Sequence, residues 1–126
     1  MQLGNLEKLV LQYFWDTDEA DAKRVHRELA DDSVRTLNTI QSTLDRLYKK
    51  KLLFRDKSGH AFIYRAAMAR DAFLAQLVRE VAADYTDNED TLLAAFSSLS
   101  AEMTETQLQA LEKLIDQRRA SDKLGR

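Results

Sequence analysis

Residues 33–53 constrain this chain more than any other segment. Ser33–Leu53 reads as one helix with an apolar side and a polar side, followed by three lysines and the start of a strand. Leu37, Ile40, Leu44 and Leu47 recur at helical spacing and share one face. The opposite face carries Asn38, Ser42, Asp45, Arg46 and Lys49, with Thr39 and Gln41 on its flanks. A solvated helix face is usually built from Glu and Lys. This one begins with short hydrogen-bonding side chains and ends in positive charge. A helix that puts its first turns into a DNA major groove needs that layout, with N-terminal side chains at base edges and a basic end at phosphate.

The flanking segments give this helix a setting. Leu6, Leu9, Val10, Tyr13 and Phe14 predict an amphipathic helix over 5–15, with Asn5 as its N-cap. Asp16–Ala20 breaks the pattern and reads as a loop. A shorter helix follows over Ala22–Ala30, capped by Asp21 and burying Ala22, Val25 and Leu29. Asp31–Val34 is the next connection. The third helix runs from about Asn38, or slightly earlier, to Lys50, and Asn38 and Gln41 have capping-box spacing. Leu52–Lys57 and His60–Arg65, rich in aromatic and aliphatic residues, flank Ser58-Gly59 and read as a β-hairpin. Leu47, Leu53, Phe62 and Tyr64 are expected to pack in the core or the wing. Three short helices and a hairpin make a winged helix–turn–helix over residues 1–67.

Residues 68–126 read as helical throughout. Phe73, Leu74, Leu77, Val78, Val81 and Tyr85 form a stripe on a helix over 69–85. A short helix from Asp87 carries Leu92, Leu93, Phe96 and Leu99. Thr104 and Gln107 form a capping box opening a helix with Leu108, Leu111, Leu114 and Ile115. The polar tail Arg118–Arg126 is expected to fray. About sixty residues in three helices bury little core unaided. The stripes therefore bury against a second copy or fold back on the winged helix, and the first alternative is preferred. The fold class is thus mainly α with a small β-hairpin wing, ending in a three-helix dimerisation segment.

The formal net charge of −2 looks wrong for a nucleic-acid binder, but the charge is unevenly placed. Residues 33–66 hold eight Lys/Arg against two acids, a local +6, whereas residues 67–126 sum to −4. The absence of cysteine excludes disulfides, thiolate metal sites and a cysteine nucleophile. His26 and His60 have no acidic ligand pattern around them, and Gly59 alone is a turn glycine rather than a phosphate loop. An enzyme is not expected, nor a cofactor or metal. With no apolar run long enough to span a bilayer and no leader-like segment, the chain is expected in the cytoplasm, without membrane insertion.

Thr39-Ile-Gln-Ser-Thr-Leu-Asp-Arg-Leu-Tyr-Lys-Lys50 and Leu6-Glu-Lys-Leu-Val-Leu-Gln-Tyr-Phe-Trp15 resemble the penicillinase-repressor family of bacterial winged-helix regulators (the BlaI/MecI/CopY type). The likeness runs from about Leu3 to Arg119. It implies a homodimeric transcriptional repressor whose N-terminal winged helix binds a dyad operator in double-stranded DNA. Three departures matter. The family commonly has glycine after the lysine pair, and here it is Lys51. A non-glycine residue in a left-handed cap costs on the order of 1 kcal/mol, which points to a different helix ending. Members inactivated by a membrane sensor protease are cut at an Asn-Phe bond. The matching position is Ala95-Phe96, which keeps the aromatic and lacks the asparagine. The cysteine-rich tail of copper-responsive members is missing.

Base reading is expected from Asn38, Gln41 and Ser42, and backbone contact from Arg35, Thr36, Thr39, Arg46, Lys49, Lys50 and Arg65. Asp45 accepts from cytosine N4, repels backbone in wrong registers, or pairs with Lys49 one turn on. Dimerisation residues are Leu74, Leu77, Val78, Val81, Leu92, Phe96, Leu108, Leu111, Leu114 and Ile115. A winged helix that binds protein instead of DNA is the alternative.

Overall fold

A computed structural model of the chain describes residues 2–29 and 35–125. Its elements are α1 (Asn5–Asp16), α2 (Ala22–Leu29), α3 (Leu37–Lys49), β1 (Leu53–Ser58), β2 (Ala61–Ala66), α4 (Arg70–Ala83), α5 (Glu89–Ser100) and α6 (Glu105–Leu124). The connection read at Asp31–Val34 lies outside the described residues, as do Ala30 and Ser33. The chain divides into two compact units, Met1–Glu80 and Val81–Arg126.

The first unit is a winged helix–turn–helix built around one core. Val10, Leu11 and Phe14 of α1, Val25 of α2, and Ile40, Leu44 and Leu47 of α3 are buried together with Leu52, Leu53 and Tyr64 of the wing. Leu9, expected inside, is exposed, because the buried stripe of α1 is Glu7, Val10, Leu11 and Phe14. The cap of α1 also sits one residue earlier than expected. Gly4 is the N-cap, and its N–H donates to Glu7 Oε1 at 3.2 Å. Asp21 does cap α2, accepting from the Arg24 N–H at 2.9 Å. Tyr13 Oη and Arg24 Nε both donate to Glu28, at 2.6 and 2.8 Å, lacing α1 to α2. At the far end of α1, Trp15 Nε1 donates to the Met68 carbonyl at 3.0 Å. Its ring lies 5.5 Å from that of buried Phe73, so the start of α4 packs with this unit.

The start of α3 is set by Thr36, whose Oγ1 accepts from the Thr39 N–H at 3.1 Å. The Asn38–Gln41 capping box does not form. The end of α3 keeps the left-handed geometry that glycine normally supplies. Lys51 has φ +66°. The Lys51 N–H donates to the Tyr48 carbonyl at 2.9 Å and the Leu52 N–H to the Leu47 carbonyl at 3.0 Å, the paired bonds of a Schellman stop. Leu47 and Leu52 are both buried, which completes the motif and holds Lys51 in place. The different ending suggested by the missing glycine is therefore not found. Lys51→Gly should relieve about 1 kcal/mol of backbone strain and raise the melting temperature by roughly 4–8 °C. Lys51→Ala, which retains a Cβ, should give no such rise in the same thermal melt.

β1 and β2 pair antiparallel, from Leu53 opposite Ala66 to Ser58 opposite Ala61. The loop is Gly59-His60, one residue later than expected, with Gly59 at φ +65° where a primed two-residue turn places glycine. Ala20, read as loop, exchanges two backbone hydrogen bonds with Tyr64 at 3.0 and 2.9 Å. This bridge ties the middle of β2 to the residues just before α2.

The second unit has no buried side chain among its described residues. Tyr85, Leu93, Phe96, Leu99, Leu111, Leu114 and Ile115 are all exposed. The Thr104–Gln107 capping box forms, with bonds of 2.9 and 3.2 Å. α6 continues to Leu124, so the expected fraying from Arg118 does not occur. Arg118 pairs with Asp122 at 2.9 Å along that last stretch. No helix among the described residues is long and apolar enough to cross a membrane.

Candidate nucleic-acid interface

The core grips α3 through Ile40, Thr43, Leu44 and Leu47, which fixes the rotation of the helix. Thr43 is fully buried, and its hydroxyl donates to the Thr39 carbonyl at 2.8 Å. Asn38, Thr39, Gln41, Ser42, Arg46 and Lys49 are consequently exposed. Asn38, Ser42, Asp45 and Lys49 fall at i, i+4, i+7 and i+11, along one line of the helix. Among the described residues, none takes up the side-chain hydrogen-bonding capacity of Asn38, Gln41 or Ser42. The entry to α3 is held by His26, whose Nε2 donates to the Arg35 carbonyl at 2.8 Å. His26 thus positions backbone.

The cations beside this face differ in how free they are. Arg46 is exposed and donates to Thr43 Oγ1 at 3.1 Å. Lys49 pairs with Asp45 Oδ2 at 2.9 Å, the local ion pair weighed from the sequence. Asp45 Oδ1 accepts from Arg55 Nη1 on β1 at 3.0 Å. Lys49 first, and then Arg55, hold the Asp45 carboxyl below the ordinary aspartate value, so it is charged at neutral pH. The Arg55 guanidinium lies between the Tyr48 ring at 3.9 Å and the Phe62 ring at 4.2 Å. Arg65 is on the other hairpin face, paired with Asp56 at 3.1 Å and lying over Phe54.

Lys50 points away from the polar face of α3. Its ammonium sits 2.6 Å from Glu7 Oε2 and 3.3 Å from the Gln2 carbonyl, tying the end of α3 to α1. Burial pushes the Glu7 carboxyl up. The Lys50 and Gly4 hydrogen bonds and the charges of Lys50 and Arg46 outweigh it, and the net shift is downward. A carboxylate lowered in the folded state contributes stability that is complete above its ordinary range and is lost as pH falls through the lower folded value. Glu7→Gln should therefore melt lower than the parent at pH ~7, and the gap should close as the pH approaches ~3. A gap that is constant with pH in parallel melts would rule out the ionised pair as its source.

Two cations that the sequence reading did not single out flank the same region. A groove of about 480 Å³ between the start of α2, α3 and the wing tip is lined by Lys23, Gln41, Asp45, Arg55 and His60, among others. Lys57 shares the hairpin face of Arg55 by strand alternation and is exposed, as is Lys23. The parity of Leu53, Arg55 and Lys57 carried that signal. Ala95 and Phe96 lie in the middle of α5, where Phe96 is 47% exposed. Among the described residues, no cluster of His, Cys, Asp and Glu is placed to hold a metal ion.

Comparison with known proteins gives three findings. The sequence model of the family described as penicillinase repressor matches residues 3–117. A curated relative, the transcriptional regulator BlaI of Mycobacterium tuberculosis, is 28% identical over 88 residues, covering 69% of this chain and 64% of its own length. The match thus spans less than two thirds of that relative. The solution structure of the DNA binding domain of the repressor BlaI is 30% identical, with a TM-score of 0.50, and covers 55% of this chain and 84% of that domain.

Proposed function

Because the chain belongs to the penicillinase-repressor family, a family of transcriptional regulators and not of enzymes, we propose that it is a homodimeric repressor binding a dyad operator through α3. The observation that carries this reading is the open line of Asn38, Gln41 and Ser42 on a helix that the core locks in rotation. These side chains read base edges in the major groove. Gln41 offers a donor and an acceptor to adenine N6 and N7, for ~1–3 kcal/mol of discrimination. Arg35, Thr36, Thr39, Arg46 and Lys49 contact phosphate, with Lys23 and Lys57 added from the groove and the wing. Lys50 is left out, since Glu7 holds it, and Arg65 contacts backbone only by leaving Asp56.

The second unit supplies the dimer. Val81, Phe96, Leu111, Leu114 and Ile115 are exposed on a unit that has no interior of its own among the described residues. Leu74 and Val78 on α4 are exposed too, while Leu77, Leu92 and Leu108 are half-buried. Helices of this length are marginal when unpacked, and so many exposed large apolar side chains favour a second copy. A twofold axis then presents two α3 helices to two half-sites. A membrane sensor protease acting at Ala95-Phe96 would first have to unwind α5, since cleavage favours exposed, irregular chain. Binding DNA places the protein in the cytoplasm.

A gel shift across a salt series, with promoter DNA of its own gene against a scrambled duplex, tests the proposal. Promoter DNA should bind more tightly, and affinity should fall steeply with salt. Gln41→Ala should weaken promoter binding by roughly 5- to 150-fold, corresponding to ~1–3 kcal/mol, and scrambled binding far less. Equal affinity for both duplexes sinks the repressor reading. No binding at low salt favours a protein-binding winged helix.

A further inference from the structure

Asp45 is the only acid on α3, and it sits in the middle of the line formed by Asn38, Ser42 and Lys49. An acid there opposes phosphate at close range, so its presence on a DNA-facing surface needs a physical account. Both carboxylate oxygens are occupied, one by Lys49 at 2.9 Å and the other by Arg55 at 3.0 Å. The two cations are held very differently. The Arg55 side chain is 23% exposed and is sandwiched between Tyr48 and Phe62, so it stays where it is whatever Asp45 does. The Lys49 side chain is 71% exposed and, among the described residues, has only the i, i+4 pair to restrain it. A surface pair of that kind is weak and readily exchanged for a phosphate.

We propose that Asp45 is a specificity-determining residue that sequesters Lys49 from DNA in general and yields it only in the operator register. The inference rests on the DNA-binding reading above. On arbitrary DNA the Asp45–Lys49 pair stays closed, so the face offers one phosphate-neutralising cation fewer. On the operator, docking of Asn38, Gln41 and Ser42 brings a phosphate within reach of Lys49 and a base amino group within reach of Asp45. The lysine then moves to the phosphate, and the carboxylate accepts from the amino group of cytosine or adenine. Off-register DNA supplies no such donor, so release of Lys49 there would leave the carboxylate facing the backbone with nothing in exchange, and the pair stays closed. Arg55, fixed by its two rings, keeps Asp45 oriented in both states.

The test measures salt-dependent binding of the full chain to promoter DNA of its own gene and to a scrambled duplex. Asp45→Asn frees Lys49, so the log–log salt slope on scrambled DNA should steepen by about 0.9 and the promoter preference should fall by about tenfold. Asp45→Asn combined with Lys49→Met should bring the scrambled-DNA slope back to that of the parent. Lys49→Met alone should flatten the promoter slope by about 0.9 and leave the scrambled slope unchanged. This variant also keeps the proposal falsifiable should Asp45→Asn fold poorly. Two results overturn the inference. One is an unchanged scrambled slope in Asp45→Asn. The other is equal weakening on both duplexes, as a merely structural anchor for Arg55 would give. Failure of the parent to prefer promoter DNA is a separate result, and it removes the repressor reading itself.

Discussion

Leu114→Asp should produce a monomer whose promoter affinity is lower by about 10²–10⁴-fold, the factor by which linking two binding modules exceeds either alone. Leu114 is 62% exposed in the single chain, so the aspartate meets only water there. In a dimer the same position is enclosed, and a charge with no partner is strongly unfavourable. The residue lies on α6 with Leu111 and Ile115, all on the unit that lacks an interior among its described residues. Sedimentation equilibrium reports the association state, and a gel shift on promoter DNA reports the affinity. A variant that remains dimeric at micromolar concentration removes Leu114 from the interface. A monomer that binds promoter DNA as tightly as the parent removes the need for two α3 helices on one site.

Leu44→Ala should remove ~2–5 kcal/mol from the winged-helix unit. Leu44 is fully buried, between Ile40 and Leu47 on the face by which α3 is held. Truncation loses the transfer energy of the side chain and leaves a cavity in the core of the unit. Total stabilities of roughly 5–15 kcal/mol make that a large fraction. The melting temperature should fall by roughly 8 °C or more. Promoter binding should fall with the folded population, and lowering the temperature should restore it. A loss below ~1 kcal/mol in a denaturant titration would show that α3 is not held by this core.

The parts of the fold written in local pattern were legible in the sequence. The 3.6-residue recurrence of Ile40, Leu44 and Leu47 marked α3, and the aromatic- and aliphatic-rich runs flanking Ser58-Gly59 marked the wing. Asp21 and Thr104 announced their helices because a cap bonds within three residues. The cap of α3 was misread, because it depends on where the chain enters the helix: Thr36, not Asn38, fills that position. Leu9 was misplaced because α1 presents Leu11 to the core instead. The exposed face of Asn38, Gln41 and Ser42 was legible from helical spacing, but the partnerships of the cations beside it were not. Lys50 finds Glu7 across 43 positions, and Arg55 finds Asp45 across ten, through folding that no periodicity encodes. Lys51 kept the glycine-like turn because buried Leu47 and Leu52 outweigh a local preference.

The bridge between Ala20 and Tyr64 also bears on how the hairpin would meet another chain. A two-stranded hairpin exposes two unpaired edges, and an open edge is a template for another chain. Here the outer edge of β2 is already occupied at its midpoint by Ala20. The remaining edge, along β1, runs through Arg55, Asp56 and Lys57, and charged side chains discourage strand addition. In the proposed dimer, two copies close together on one stretch of DNA would thereby be kept from joining sheet to sheet into aggregates, and self-association would be left to the helices.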